Sequence, residues 1–423
     1  GYENLKNIKQ VLKRKMDWAI GPEITLFENK LANYVNSTYC VAFNSGTSAL
    51  HASLLSLGIS KNDQVLVPSF TFISTVNSTL MVNATPKFVD IKDSWIGEKI
   101  TGAKLISPSG KFVDVDFSSE TGFILNRRVF DYDLSRYAAN AGAEVFTKAY
   151  VKNVLINDEQ VNGVVLDYMG EEQSIQAKVI IGADGLTSRV GRWAGMKTQV
   201  RMKDMESAVQ YSVSNIDYEK NKMIMYVGKN YAPGGYLWIF PKGDRSANIG
   251  IGISGKYSKH KSAKTFLDEF MEREYPDAAI LTTMCGGVPC GKPMRNPVTD
   301  GLMLVGDAAH QINPMTGGGI VSGMKAGWIA GQVAAEAIIK ENYSVKMLNN
   351  YSDAMWKAFG KNYERFYKIK EAVHNLSDED LDYIAEQVLS IPHNKRTLSS
   401  VFKAAVFKKP ALIIDVLKVF AGV

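Results

Sequence analysis

Asp307 and the consecutive glycines Gly317, Gly318 and Gly319 are the residues of this 423-residue chain whose types and spacing point most directly to chemistry. The run Leu302-Met303-Leu304-Val305 is short and apolar, as a buried strand is. Gly306-Asp307 breaks it and sets a carboxylate at its C-terminal end, where open α/β sheets bind ligands. Asn313-Pro314 makes a turn, and the three glycines let backbone approach a ligand with no Cβ in the way. A long helical pattern follows, lined by Gly323, Ala326, Gly327, Ala330, Gly331 and Ala334. Its start offers unpaired N–H groups and the positive end of a dipole. That arrangement suits a pyrophosphate, or the negative charge that develops on a reduced flavin ring.

The elements around these residues predict an α/β chain of several domains. Hydrophobic residues make up 46% and charged residues 22%, ordinary for a globular protein with a sizeable core. A net charge of +6 is modest for this length and is no nucleic-acid signature. Cys40, Cys285 and Cys290 are too scattered for a disulfide framework or a zinc site. No apolar run reaches the ~18 residues of a membrane span and no signal peptide is visible, so a cytoplasmic location is expected. The first residue is Gly rather than Met, as in a fragment or a processed chain.

GDAAHQINPMTGGGI (306–320) resembles the second FAD motif of flavoproteins of the aromatic-hydroxylase and geranylgeranyl-reductase group. From Trp95 to the end the chain is similar to archaeal-type geranylgeranyl reductases. The resemblance implies that Asp307 hydrogen-bonds the ribityl chain and that the Gly317–Gly319 helix start faces the flavin. NRRVFD (126–131) matches a segment whose arginine, Arg127 here, reaches towards FAD; its helix is expected to bury Phe130, Leu134, Tyr137, Ala138 and Ala141. VIIGADGLTSRVGRWAG (179–195) resembles the group's middle motif, with Asp184-Gly185 beside the cofactor and either Arg189 or Arg192 serving. Strands are expected over 143–156 and 161–168, with Asn162-Gly163 as a turn signal. In YLWIFP (236–241), Tyr236, Trp238 and Phe240 alternate onto one face of a strand. Such a stripe is usually core; the resemblance implies instead that Tyr236, Trp238, Phe240 and Pro241 line a tunnel for an isoprenoid lipid.

Residues 15 to 92 resemble a different family, the pyridoxal-phosphate sugar aminotransferases of fold type I. NSGTSAL (44–50) matches their phosphate cup, and PSFTF (68–72) the segment whose aromatic, Phe72, stacks on the cofactor. Gly21-Pro22-Glu23 fits the entry to that family's large domain. The pattern reads helix 23–34, strand 40–43, helix 47–57, strand 64–67, helix 71–82 and strand 86–91, a parallel α/β unit. The Schiff-base lysine and the aspartate facing the pyridinium nitrogen have no counterpart beyond residue 92, so pyridoxal phosphate is not expected.

The fold expected is therefore α/β: an aminotransferase-like fragment (1–93), an FAD-binding Rossmann-like domain in two parts (94–199 and 299–340) and incomplete at its N-terminus, a mixed antiparallel substrate sheet (200–298), and a helical region (341–423). The strand–GxGxxG–helix turn that would hold the pyrophosphate is missing before Trp95. One family reads as spliced to another at about Asp90 to Trp95. The function implied is FAD-dependent saturation of geranylgeranyl double bonds in archaeal-type membrane lipids. A sugar-aminotransferase fragment and a non-catalytic chimera are the alternatives. No nicotinamide motif names the electron donor, and no proton donor stands out; His310 is as well read as structural. The basic, apolar end (401–423) suits either an anionic membrane surface or packing on its own domain, which Pro410 favours by interrupting the amphipathic pattern.

Overall fold

A computed structural model describes residues 21–68, 73–89, 92–117, 122–397 and 400–401. The aromatic Phe72 and the basic segment from 402 onward lie outside the described residues. The chain forms two compact units, Gly1–Lys92 and Asp93–Val423.

The first unit contains α1 (Pro22–Tyr34), α2 (Gly46–Ser56), β1 (Gln64–Pro68), α3 (Ile73–Met81) and β2 (Thr85–Val89). Pro22 opens α1 at a position where its missing N–H costs nothing. β1 and β2 pair in parallel, as the α/β alternation predicts. The strand expected at 40–43 does not form. The Ala42 amide is taken by the Glu28 carboxylate (2.7 Å), and Val41 and Phe43 stay exposed. The predicted phosphate cup closes on itself: Ser45 Oγ accepts from the Ser48 amide (3.1 Å), and Ser48 Oγ donates to Asn44 Oδ1 (3.0 Å).

The second unit begins with β3 (Ile96–Ile100), β4 (Gly102–Ile106), β5 (Phe112–Asp116) and β6 (Gly122–Leu125), then α4 (Arg127–Asn140). α4 buries Phe130 and Asp133 against Trp95, whose indole donates to Asp133 (2.9 Å), while Tyr137 and Ala138 remain exposed. The apolar face read from sequence is thus narrower and holds a buried carboxylate. β7 (Ala149–Asn157), β8 (Gln160–Tyr168) and β9 (Glu171–Gln176) form an antiparallel sheet. Its first turn is Asp158-Glu159, both with positive φ (48° and 66°), and not Asn162-Gly163. Gly163 sits inside β8 because any side chain there would strike the Ile175 carbonyl of β9.

Next come β10 (Ile180–Gly182), α5 (Arg189–Trp193), β11 (Glu206–Ser214), β12 (Lys222–Tyr226), β13 (Tyr236–Gly243), β14 (Ser246–Ser254), α6 (Ala263–Glu274) and β15 (Ala279–Val288). The strand order β15-β11-β14-β13-β12-β4-β5 makes a mixed seven-stranded sheet. Its inner face carries Val209, Tyr211 and Val213 of β11, Leu237 and Ile239 of β13, and Ile249, Ile251 and Ile253 of β14. α6 covers that face with Ala263, Leu267, Phe270 and Met271, spaced one helical turn apart. Each Val, Leu, Ile, Phe or Met among them contributes about 1.5–3 kcal/mol by leaving water.

β16 (Val298–Thr299) and β17 (Leu302–Leu304) return to β10, with β10 and β17 parallel. The long α7 (Ile320–Ile339) follows, then α8 (Val345–Met355), a π-helical turn (Trp356–Gly360), α9 (Lys361–Val373) and α10 (Asp378–Leu389). α7 and α8 pack over Val298, Met303 and Val305, and α10 lies against Val113 and Val115 of β5.

Candidate active site

The turn after β17 is built on fully buried backbone. Leu302, Met303 and Leu304 are inaccessible to solvent, and the Val305 amide donates to the Gly182 carbonyl (2.9 Å). Gly306, at φ +63°, starts one 3-10 turn that ends in His310. Gln311 fixes the turn: its Oε1 accepts from the Gly306 amide (2.8 Å), and its Nε2 donates to the Tyr351 hydroxyl (2.7 Å). Tyr351, buried on α8, in turn donates to the Leu304 carbonyl (2.9 Å). Sequence reasoning missed Gln311 and Tyr351, which sit among polar neighbours in the chain and carry no distinguishing local signal.

Asp307 projects from this turn beside the glycine loop. A Cβ built on Gly319 would lie 3.3 Å from Asp307 Oδ1 and 3.0 Å from Ile312 Cγ2. Burial holds the Asp307 carboxyl above the usual carboxylate range, with His310 opposing weakly. No described donor satisfies that carboxylate. Gly317 has φ +67°, Asn313 and Gly318 bond through their backbones (2.9 Å), and no side chain caps α7 at Gly319. An uncapped helix start, a glycine loop and an unanswered carboxylate thus face the same space.

Asp184-Gly185 leaves β10 where Asp307 leaves β17. The register pairs Gly182 with Leu304, so both turns exit the C-terminal ends of adjacent parallel strands. Asp184 Oδ2 accepts the Val190 amide (3.0 Å), capping α5, and Gly185 takes φ +76°. Of the two arginines, Arg189 is held by the Tyr150 hydroxyl and Arg192 is exposed. Arg127 is not brought to these turns by any described contact. Its guanidinium grips Asp131 one helical turn away (3.0 Å) at an exposed position. His310 ties two loops, its Nε2 bonded to the Thr198 carbonyl (3.0 Å), and burial pushes its pKa down.

Tyr236, Trp238 and Phe240 occupy the face of the large sheet opposite its core, each half-buried, in contact along the strand (5.6 and 5.9 Å between ring centres). Pro241 alternates to the buried face with Leu237 and Ile239, so it does not share the aromatic surface. Gly250 and Gly252 of β14 lie beneath: a side chain on Gly250 would collide with the Trp238 indole. The indole donates to Gln210 Oε1 of β11 (3.1 Å). At one end, the Tyr236 hydroxyl donates to the Thr316 carbonyl (2.5 Å), immediately before the glycine loop. A separate surface cavity, bounded by Gly234, Tyr257, His374 and Leu381, is not lined by any of the three aromatics.

Beside Tyr236 lies a group of polar side chains that sequence reasoning did not select. Glu206 opens β11, and its Oε2 stands 2.9 Å from where a Gly252 Cβ would be. The buried Cys290 lies beside the Glu206 carboxyl. Lys370 of α9, fully buried, donates to the Cys290 carbonyl (2.6 Å) and pairs with Asp204 (3.8 Å). Asp204 also accepts from Tyr367 (2.7 Å) and Arg201 (2.7 Å). These residues lie far apart in sequence, so no local motif announces them.

Two strands of comparison agree with this geometry. A family model described as geranylgeranyl reductase catalytic domain matches residues 204–288, and one described as the DegT/DnrJ/EryC1/StrS aminotransferase family matches 1–113. The second match runs past the unit boundary at Lys92 into β3–β5, of which β4 and β5 pair within the large sheet of the second unit. Digeranylgeranylglycerophospholipid reductase 1 of Methanococcoides burtonii is 39% identical over 323 residues, 76% of this chain and 79% of that protein. Digeranylgeranylglycerophospholipid reductase of Methanocella arvoryzae is 39% identical over 330 residues, 77% of this chain and 84% of that protein. The crystal structure of a geranylgeranyl bacteriochlorophyll reductase-like protein from Thermoplasma acidophilum superposes with a TM-score of 0.72 at 33% identity, covering 78% of this chain and 85% of that one. The fold is that of an oxidoreductase family, with an aromatic face beside a glycine-rich turn. The chain belongs to the digeranylgeranylglycerophospholipid reductase family, joined to an N-terminal aminotransferase-like segment.

Proposed function

We propose that the chain is an FAD-dependent reductase that saturates isoprenoid double bonds of a geranylgeranyl lipid. The observation that carries this reading is the Tyr236–Thr316 hydrogen bond (2.5 Å), which fastens the aromatic face to the glycine loop. An apolar chain laid along Tyr236, Trp238 and Phe240 reaches the loop where a redox group suits the residues. Binding there is driven by apolar area removed from water, about 25 cal/mol per Å².

The fit to FAD differs between its two ends. Asp307, Gly317, Gly318 and Gly319, with Asp184 and Gly185 on the adjacent strand, suit the flavin end: an uncapped helix dipole, no Cβ in the way, and a carboxylate ready to accept from hydroxyls. For the pyrophosphate end, the sequence holds no GxGxxG turn before Trp95. Arg127, engaged by Asp131, has no supporting contact for a cofactor role. When bound, the flavin supplies the two electrons and the hydride. The chain's own contribution is to orient the alkene on the aromatic face, exclude water from it, and place the dipole of α7 towards developing negative charge.

Among the described residues no helix is long and apolar enough to cross a membrane. A lipid substrate calls for peripheral contact. Absorption spectroscopy of the purified protein with added FAD tests the reading. A bound flavin spectrum that bleaches on anaerobic reduction and returns with a geranylgeranyl glycerolipid is expected. A protein that leaves FAD free in solution overturns it.

A further inference from the structure

Saturating an alkene needs a hydride at one carbon and a proton at the other, and the aromatic face shows where an acid stands. The groups around it differ in whether they have a proton to give. The Tyr236 hydroxyl is committed to the Thr316 carbonyl (2.5 Å). His310 is committed to the Thr198 carbonyl (3.0 Å). Lys370 spends its ammonium on the Cys290 carbonyl (2.6 Å) and Asp204. Burial raises the pKa of the Cys290 thiol far above neutrality.

Glu206 is different. It shares the sheet face of Trp238 and Gln210, because residues two apart on β11 point the same way. Its Oε2 lies over Gly252, next to the edge of the Trp238 indole, in the clearing that two β-strand glycines leave. The groups that face it are Tyr236 and Trp238 from β13, Cys290 after β15, and Lys370 from α9, with Asp204 just before β11 and Asp307 beyond Cys290. The nearest buried ammonium is already balanced by Asp204. With that ammonium shared, desolvation keeps the Glu206 carboxyl above the usual carboxylate range, opposed by neighbouring Cys290 and Lys370.

We propose that Glu206 is the catalytic acid of the alkene reduction. One alkene carbon receives a hydride from the reduced two-electron donor. The alkene π pair forms the second new C–H bond with the Glu206 proton, and the carboxyl O–H bond breaks. Both electrons of the hydride end in the first C–H bond, and Glu206 is left as a carboxylate. The neighbouring Lys370 stabilises that charge until a proton returns from solvent, to which Glu206 is partly open.

The inference rests on the reductase reading, so its test has one arm that needs no cofactor. In the flavin-free protein, infrared difference spectra with isotopically labelled glutamate are expected to show one protonated carboxyl at pH 7, absent in Glu206→Gln. An ionised Glu206 at that pH overturns the proposal whether or not the protein turns over. In the flavin-loaded protein, Glu206→Gln is expected to cut kcat about 10²–10⁴-fold. Flavin affinity, KM and melting temperature stay within twofold or a few degrees, because glutamine mimics the neutral acid. Glu206→Asp restores part of the rate, and the alkaline limb of the pH profile, where the acid loses its proton, disappears in Glu206→Gln while flavin binding stays intact. A Glu206→Gln rate within threefold of the parent overturns the proposal. A parent chain that binds no flavin refutes the reductase reading alone, and the infrared result then decides the fate of Glu206.

Discussion

At the scale of single residues, burial sets which groups carry charge. His374, on the last turn before α10, is pushed down to about 4 from an ordinary 6.5, by desolvation first and by Lys370 second. Between those two values the unfolded chain binds a proton that the folded chain refuses. Stability therefore falls as pH drops from about 6.5 to about 4, by on the order of 3 kcal/mol at most. Buried His310 adds in the same direction. Urea midpoints measured across this window should fall with acid in the parent and fall less steeply in His374→Gln. Equal slopes would mean that His374 is solvated. None of this was legible in the sequence, where the five histidines differ only in their neighbours.

At the scale of elements, the turn that carries Asp307 depends on a helix it does not touch in sequence. Tyr351 of α8 joins the Leu304 carbonyl to the Gln311 amide, and Gln311 holds the Gly306 amide. Tyr351→Phe leaves a buried carbonyl and a buried amide without partners, which costs about 1–3 kcal/mol. Chemical denaturation should register that loss, and flavin affinity should fall with it because Gly306-Asp307 is no longer pinned. A variant as stable as the parent would show that water replaces the hydroxyl. The strand before the turn, the glycine loop and the helix after it are legible locally, as apolar run, glycine triplet and helical period. The 158–159 hairpin is not: Asn162-Gly163 is the stronger turn signal, yet its glycine is required inside β8 by the close approach of β9.

At the scale of the molecule, the second unit leaves apolar surface open to solvent. β10 has one described neighbour, β17, and its Ile181 is 39% exposed. α7 shows Val321, Met324 and Trp328 to solvent, at 79%, 50% and 64%. An apolar stripe of this kind promotes association. Replacing Trp328 by Gln should lower the binding of an apolar dye and the tendency to self-associate, with the melting temperature unchanged. A large drop in melting temperature would instead place Trp328 in the core. The relatives run to lengths of which this chain matches 79% and 84%.

The sequence by itself determined the family of the larger unit, the aminotransferase-like character of the first, and the strand–turn–helix that presents Asp307 and Gly317–Gly319. Those features are carried by residues adjacent in the chain, where glycine conformation and apolar period act locally. It also placed Tyr236, Trp238 and Phe240 on one face, since strand alternation needs no tertiary knowledge, though not which face was the core. Only the tertiary structure decided that: α6 covers Leu237 and Ile239, which leaves the aromatics open towards the glycine loop. It alone decided that Pro241 turns inward and that Arg127 pairs with Asp131. Above all it gathered Glu206, Cys290, Lys370 and Asp204 from four separate segments. Burial and charge balance are properties of the packed whole, and no local pattern of residues encodes them.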